Sequence, residues 1–442
     1  MKKVLYFILT CSMIGCSQDF LDVKPSSNTV VPTTLDDFQQ LMDYGNLVFA
    51  FPDMMEVLAD DYYLEETYWA ARPTTIRNAH VWAVDIFETI EADFTNWERS
   101  YNQIFYANVV LEGVEKITKD HKNERQHNQV RGTAYFLRAW ALYNLAQLYA
   151  PAYSAATASQ DLGVPIPLRS DVNEKVKRNS VEEVYSRILG DLETADALLQ
   201  HDVDFSRPSK AAANALCARV LLAMGNYVQA LHKAEGSLRE YGVLADLNTE
   251  TLDYKQTVYL AFDPNGPFIY LSNQNIQIVD ELYNSYENND LRLRYFTLNN
   301  LRKPRRIASH ALANYSFQGL DADEQYLIKA ECLAHLGSIT DAMNTLNHLL
   351  RHRHRDYIDK TATSQAEALE IIRQERRKEL LFRGLRWSDL KRYNRDGANI
   401  TLTRTFGDKT YTLPPNSSRW LFPIPSNEIK TSGIEQNIRL ED

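Results

Sequence analysis

Cysteine is scarce in this chain: 442 residues carry four, and Cys11 and Cys16 both fall near the N-terminus. Two remaining thiols cannot build a disulfide framework. Cys217 and Cys332 each lie in an apolar helical stretch and read as small buried hydrophobes rather than as a bridge. Long apolar runs are missing too. No window beyond the N-terminal segment reaches the ~18 uncharged apolar residues of a membrane-spanning helix. Positive charge is in deficit, 48 Lys+Arg against 58 Asp+Glu, which argues against nucleic acid as a partner because little would neutralise phosphates over a large surface. There is no HExxH, CxxC, G-x-S-x-G or glycine-rich phosphate loop, so no catalytic residue, metal site or cofactor is expected. His348, His352 and His354 in NHLLRHRHRD include an i,i+4 pair of the kind that binds metals. They alternate with Arg351, Arg353 and Arg355 at a helix C-terminus, where cations suit the dipole and repel a metal ion. That stretch reads as a solvated helix end.

What is present begins with a targeting pattern. Lys2 and Lys3 precede the apolar Val4–Ile14 run, too short to span a bilayer. It ends in Met13-Ile14-Gly15-Cys16, similar to a bacterial lipobox, in which a small residue precedes a cysteine that becomes lipidated. Residues 1–15 are expected to be a signal peptide, Cys16 the lipid attachment point, and residues 16–34, with Pro25 and Pro32, a tether. An ordinary secretory signal with Cys16 as a bystander is the alternative.

The stretch Glu375–Tyr393, ERRKELLFRGLRWSDLKRY, organises the remainder. Ile371, Ile372, Leu380 and Leu381 recur at helical spacing from about Ser364, with Arg373, Glu375, Arg376, Arg377, Lys378 and Glu379 around them. The charges read as a solvated ion-pair face. Gly384 supplies a left-handed stop, and Leu385, Trp387, Leu390 and Tyr393 form a second apolar face, with Trp387 as core. Upstream, a short helix is expected at 35–44, an amphipathic helix at 96–117 and another at 126–149. Ser180 and Glu183 make a capping box for a further helix. Ala218–Leu231 aligns without gaps on Ala330–Met343. The alanines and the glycines Gly225 and Gly337 fall where tetratricopeptide-type hairpins need close helix approach and a turn. About four hairpins are expected, divided as an N-terminal part (35–241), an irregular insertion (242–319) with minor β-structure, and a C-terminal part (320–442). The fold class is therefore mostly α: a tetratricopeptide-like scaffold with an irregular, loop-rich subdomain.

Several of these stretches also resemble one family. ERRKELLFRGLRWSDLKR is similar to the E-R-R-x-E-L-x-F-E-G-x-R-W-x-D-L-x-R signature of the SusD-like (RagB/SusD) nutrient-binding lipoproteins, with Arg383 where glutamate is common. NWERSYNQIFYANVVLEGVEKI, the FLRA run at 136–139, LYxxY with Asp290 and Arg292, and the closing LFPIPSNEI with Gln436-Asn437 match further family motifs in order. The resemblance implies a non-enzymatic protein lipid-anchored to the outer membrane and exposed on the cell surface. Its implied partners are a TonB-dependent SusC-like transporter and an oligosaccharide or peptide ligand. A surface hydrolase and a protein-binding helical scaffold are the alternatives.

A ligand site is expected in DDYYLEETYWAAR, where aromatics and acids crowd a stretch of poor helical periodicity. Asp60 and Asp61 would accept hydroxyl hydrogen bonds, with Tyr62, Tyr63, Tyr68, Trp69 and Arg72 around them and further contacts from the insertion. Trp69 has the largest ring face for stacking on a sugar. Tyr62 and Tyr63 are adjacent, so on an extended segment one faces ligand and the other core. Two carboxylates at glycosidase spacing would be the catalytic alternative.

Overall fold

The computed structural model of the chain describes residues 32–44, 53–87, 95–249, 254–263, 276–298, 304–306 and 316–442. The expected signal segment, Cys16, most of the tether and the 268–272 run lie outside the described residues.

Helix α1 (Leu35–Met42) starts at a capping box, with Thr34 accepting from the Asp37 amide and Asp37 reaching back. α2 (Thr95–Val114) and α3 (Glu124–Tyr149) pack together, and α4 (Val181–Leu198) lies on α3. The Ser180 capping box is present: Ser180 Oγ accepts from the Glu183 amide at 3.2 Å, and Glu183 Oε2 accepts from the Ser180 amide at 2.8 Å. The two aligned segments form matching hairpins, α5 (Lys210–Met224) with α6 (Tyr227–Glu240) and α7 (Ala322–His335) with α8 (Ile339–Arg351). Gly225 and Gly337 take φ of +77° and +82°, a region that costs glycine nothing. Ala218, Ala330, Ala230 and Ala342 are fully buried, and α6 packs on α7 across the sequence that separates the hairpins. The scaffold is mostly helical and tetratricopeptide-like. Among the described residues β-structure is limited to two-stranded antiparallel sheets and two isolated bridges, and no helix is long and apolar enough to cross a membrane. Cys217 and Cys332 are free and buried, as expected.

Framework residues of the family-like motifs have physical reasons. Arg138 on α3 forms two hydrogen bonds with Asp191 on α4, each 2.7 Å, and a third with Asn108 on α2 at 2.8 Å. One buried guanidinium thereby fixes three helices in register.

The charged face of α9 (Gln365–Glu379) is a correction to the expectation. It is not solvated: Glu375, Arg376, Lys378 and Glu379 are all buried. Charge burial is tolerable only with full pairing, and distant segments supply it. Arg292 bonds Asp290, Glu375 and Glu379 at 2.7, 2.9 and 2.8 Å. Arg353 bonds Glu379 at 2.7 Å and Gln256 at 2.9 Å. Arg392 bonds Glu331 and Asp389. The solvated reading of the arginine–histidine run holds for His348, Arg351 and Arg355, which are exposed, and fails at Arg353 and His354, which are buried, with His354 Nε2 3.3 Å from Asp290. Arg383, where the motif usually has glutamate, is paired with Asp323 at 2.8 and 2.7 Å and approaches Asp321 at 3.3 Å. Here the arginine offsets two buried carboxylates.

α9 ends at Glu379, before the expected stop. The break contains two left-handed residues, Phe382 (φ 63°) and Gly384 (φ 72°), and the Gly384 amide donates to the buried Glu56 carboxylate. α10 (Arg386–Arg395) then buries Trp387 and Leu390 completely.

Candidate functional site

The expected site loop folds as a three-residue strand, Tyr62–Leu64, followed by a short helix, Glu66–Ala70. The strand pairs antiparallel with Ile276–Ile278, so Tyr62 faces Ile278 and Tyr63 faces Gln277. Strand alternation divides the two tyrosines as the sequence required: Tyr62 is buried, and Tyr63 is half-buried on the opposite face. The Tyr63 hydroxyl donates to Gln277 Oε1 at 2.5 Å, and Gln277 Nε2 donates to Glu65 at 2.6 Å.

Both aspartates are held by arginines from α9 and α10. Arg386 meets the Asp60 carboxylate at 2.7 and 2.9 Å, and Arg377 donates to Asp61 at 2.8 Å. Burial opposes charge on Asp60, but Arg386 and Arg377 outweigh it and hold that carboxyl well below the usual range. At Asp61 burial wins over Arg377, and the neighbouring Asp60 charge adds to it, so that carboxyl is pushed up. A split pair of this kind suits acid–base chemistry, yet Asp61 is only 1% exposed. Asp61 and Tyr62 are both almost wholly buried; Tyr62 still lines the pocket described below, whereas Asp61 does not.

Trp69 is stacked on Phe406, ring centroids 4.2 Å apart and planes at 11°, and its indole N–H donates to the Arg77 carbonyl at 3.2 Å. One ring face is therefore covered by protein. Arg72 lies over the Tyr68 ring at 4.0 Å. Phe406 belongs to a hairpin, Leu402–Phe406 paired with Lys409–Leu413. At its tip Gly407 has φ +54°, and a Cβ there would meet the Glu66 carboxylate at 3.1 Å. Arg404 of the same strand turns inward and donates to the carbonyls of Val57, Ala59 and His80. Burial pulls its guanidinium down to about 10.

Between this hairpin and the Tyr62–Leu64 strand is a pocket of about 260 Å³. Its lining includes Asp60, Tyr63, Val279, Thr403, Thr405 and Phe406. Tyr63, Thr403 and Thr405 supply hydroxyls, and Asp60 a carboxylate with 22% of its side chain exposed. Such a set can hydrogen-bond a polyhydroxylated group against an aromatic edge. Thr403, Thr405 and Gln277 were missed in the sequence reading. The signal was available: LTRTF alternates, and Gly407-Asp408 before KTYTL is a two-residue hairpin turn.

Two family models match the chain. One, described as "Starch-binding associating with outer membrane", matches residues 19–222, and another, described as "SusD family", matches residues 323–438. The chain belongs to the SusD-like family. Among relatives of this family, SusD-like protein P2 of Formosa agariphila is 33% identical over 141 residues, which is 31% of this chain and 26% of that relative. The match thus spans about a quarter of the relative's length. A SusD superfamily protein of Bacteroides thetaiotaomicron superposes with a TM-score of 0.76 at 20% identity, covering 92% of this chain and 100% of the other. A SusD-like carbohydrate binding protein of Bacteroides vulgatus gives 0.71 at 20% identity, covering 91% and 97%. At those identities the structural likeness concerns the SusD-like fold alone.

Proposed function

We propose that this SusD-like chain is a cell-surface lipoprotein that captures a glycan at the Tyr63–Thr405 pocket and passes it to a TonB-dependent SusC-like transporter. The observation carrying the reading is the pocket itself: three hydroxyls and one arginine-restrained carboxylate beside an aromatic wall, in a family whose matched model is described as starch-binding and outer-membrane associated. Binding is favoured over hydrolysis because Asp60 is tied to Arg386 and Asp61 is buried against Arg377. Among the described residues no free carboxylate pair faces the pocket. A peptide ligand remains the second outcome of the test.

Calorimetric titration against a glycan and peptide panel decides between them. Tyr63→Ala removes a ring and a hydroxyl from the pocket and is expected to weaken glycan binding several-fold, about 1 kcal/mol per ring contact. Trp69→Ala is expected to lose stability as well as affinity, because its ring also packs on Phe406. Equal affinity in Tyr63→Ala would move the site elsewhere, and release of shortened sugars would overturn the binding reading.

The anchor has its own test. Cys16→Ala is expected to release the protein from the membrane fraction, since the lipobox-like ending at Cys16 is the proposed attachment and acyl chains contribute roughly 0.8 kcal/mol per buried CH₂. Retention after a high-salt wash would show that lipidation at Cys16 is not what holds it.

A further inference from the structure

A second cleft, of about 450 Å³, lies between α2 and the chain from Pro165 to Val176, and it shares no lining residue with the Tyr63 pocket. Its floor is a run of rings from one helix. Trp97, Tyr101 and Phe105 recur every four residues, and Tyr106 stands edge-on to Phe105 at 5.3 Å. Its opposite wall contains Pro165 and Pro167 and is stapled to the same helix. Tyr101 Oη donates to the Pro165 carbonyl at 3.0 Å, and Asn108 Nδ2 donates to those of Pro167 and Arg169 at 3.0 and 3.1 Å. Glu112 accepts from the Ser170 amide and hydroxyl at 2.8 and 2.5 Å. The cleft is thus preformed, and a ligand would not have to order this wall.

The charge at its edge is one-sided. Among the described residues, Glu98, Asp171, Glu174 and Glu428 line it against a single cation, Arg169. Among the described residues no ion pair engages Glu98, Glu174 or Glu428. Val172, 80% exposed, adds apolar surface at the mouth. Aromatic rings with surplus carboxylates favour a cation on an apolar stem: the stem covers the rings, the charge sits over a ring face or against a carboxylate. A groove walled by prolines and rings suits an extended backbone. A neutral sugar would make no use of the surplus charge.

We propose that this cleft binds an extended, arginine- or lysine-bearing peptide segment of a protein partner. The binding is electrostatic at the rim and stacking on the floor, and it is independent of the Tyr63 pocket.

The test uses the soluble chain and a short fluorescein-labelled peptide alternating arginine with proline, beside a glutamate–proline control, read by fluorescence anisotropy. The basic peptide is expected to bind and the acidic one not, with affinity falling as salt rises. Glu428→Gln and Phe105→Ala should each weaken binding about three- to tenfold. Tyr63→Ala should leave it unchanged. Asp202→Asn with Asp204→Asn removes charge from a separate acidic pocket and should have little effect. Equal weakening by that control would reduce the effect to net charge and overturn the proposal. So would absence of basic-peptide binding, or displacement of the peptide by a neutral oligosaccharide. Should Phe105→Ala misfold, Glu428→Gln, a half-buried rim residue, still decides.

Discussion

Arg292→Met should destabilise the protein by about 3–5 kcal/mol at neutral pH, the usual cost of removing one partner from a buried ionic cluster. Among the described residues Arg292 is the one cation paired with all three of Asp290, Glu375 and Glu379. Methionine fills much of the volume but returns none of the charge. The pH dependence identifies the cause. Burial alone would raise the carboxyls of Asp290 and Glu379, but in the native chain their partners hold both well below their ordinary values, Arg292 and a hydrogen bond from His354 at Asp290, Arg353 and Arg292 at Glu379. Depressed folded pKa values contribute stability that is present above the unfolded values near 4, and that is lost only as pH falls through the folded ones. Without Arg292 the burial effect is less opposed and the carboxyls shift upward. The variant's penalty is then full at pH 7 and is relieved as pH falls toward about 5. Urea denaturation at both pH values should therefore show the gap between variant and parent narrowing on acidification. An equal gap at both would mean that the loss is packing, not charge.

The same cluster shows what the sequence could and could not convey. Helices α1 to α10 were legible because periodicity, capping residues and turn glycines act within a few positions; Thr34, Ser180, Gly225 and Gly337 behave as their types demand. Burial of charge is not local. Nothing within α9 distinguishes a solvated Glu375 from one enclosed by Arg292, 83 residues away. Arg353 and His354 were misread for the same reason. At the pocket, strand alternation separated Tyr62 from Tyr63 correctly, whereas Asp60 and Asp61 looked like free acceptors. Their guanidinium partners Arg386 and Arg377 are 326 and 316 positions away in the chain. Trp69 was recognisable as a large ring, but not that Phe406 covers one face of it. The hairpin carrying Thr403 and Thr405 was legible in its alternation and was overlooked beside the proline-rich tail.

Trp387→Ala should cost about 3–5 kcal/mol, as expected when a fully buried tryptophan is truncated. The ring is 0% exposed and lies 4.5 Å from Trp420 with planes at 30°. Its loss would open a void where α10 meets the C-terminal segment. Polar links run from both elements to the end of α3: Lys391 Nζ donates to the Gln147 and Ala150 carbonyls at 2.8 and 2.6 Å, and Asn437 Nδ2 donates to that of Tyr149 at 2.7 Å and, within its own segment, to that of Phe422 at 2.8 Å. None of these refills the space of an indole. Trp387→Phe separates volume from polarity. Among the described residues the indole N–H has no hydrogen-bond partner, so phenylalanine sacrifices no such bond and should recover much of the loss. Chemical denaturation of the three proteins should order them native, phenylalanine, alanine. Trp387 lines neither the Tyr63 pocket nor the cleft on α2, so at temperatures where the variants remain folded their ligand affinity should match the parent's. An alanine variant as stable as the parent but deficient in binding would remove Trp387 from the core and make it a ligand contact.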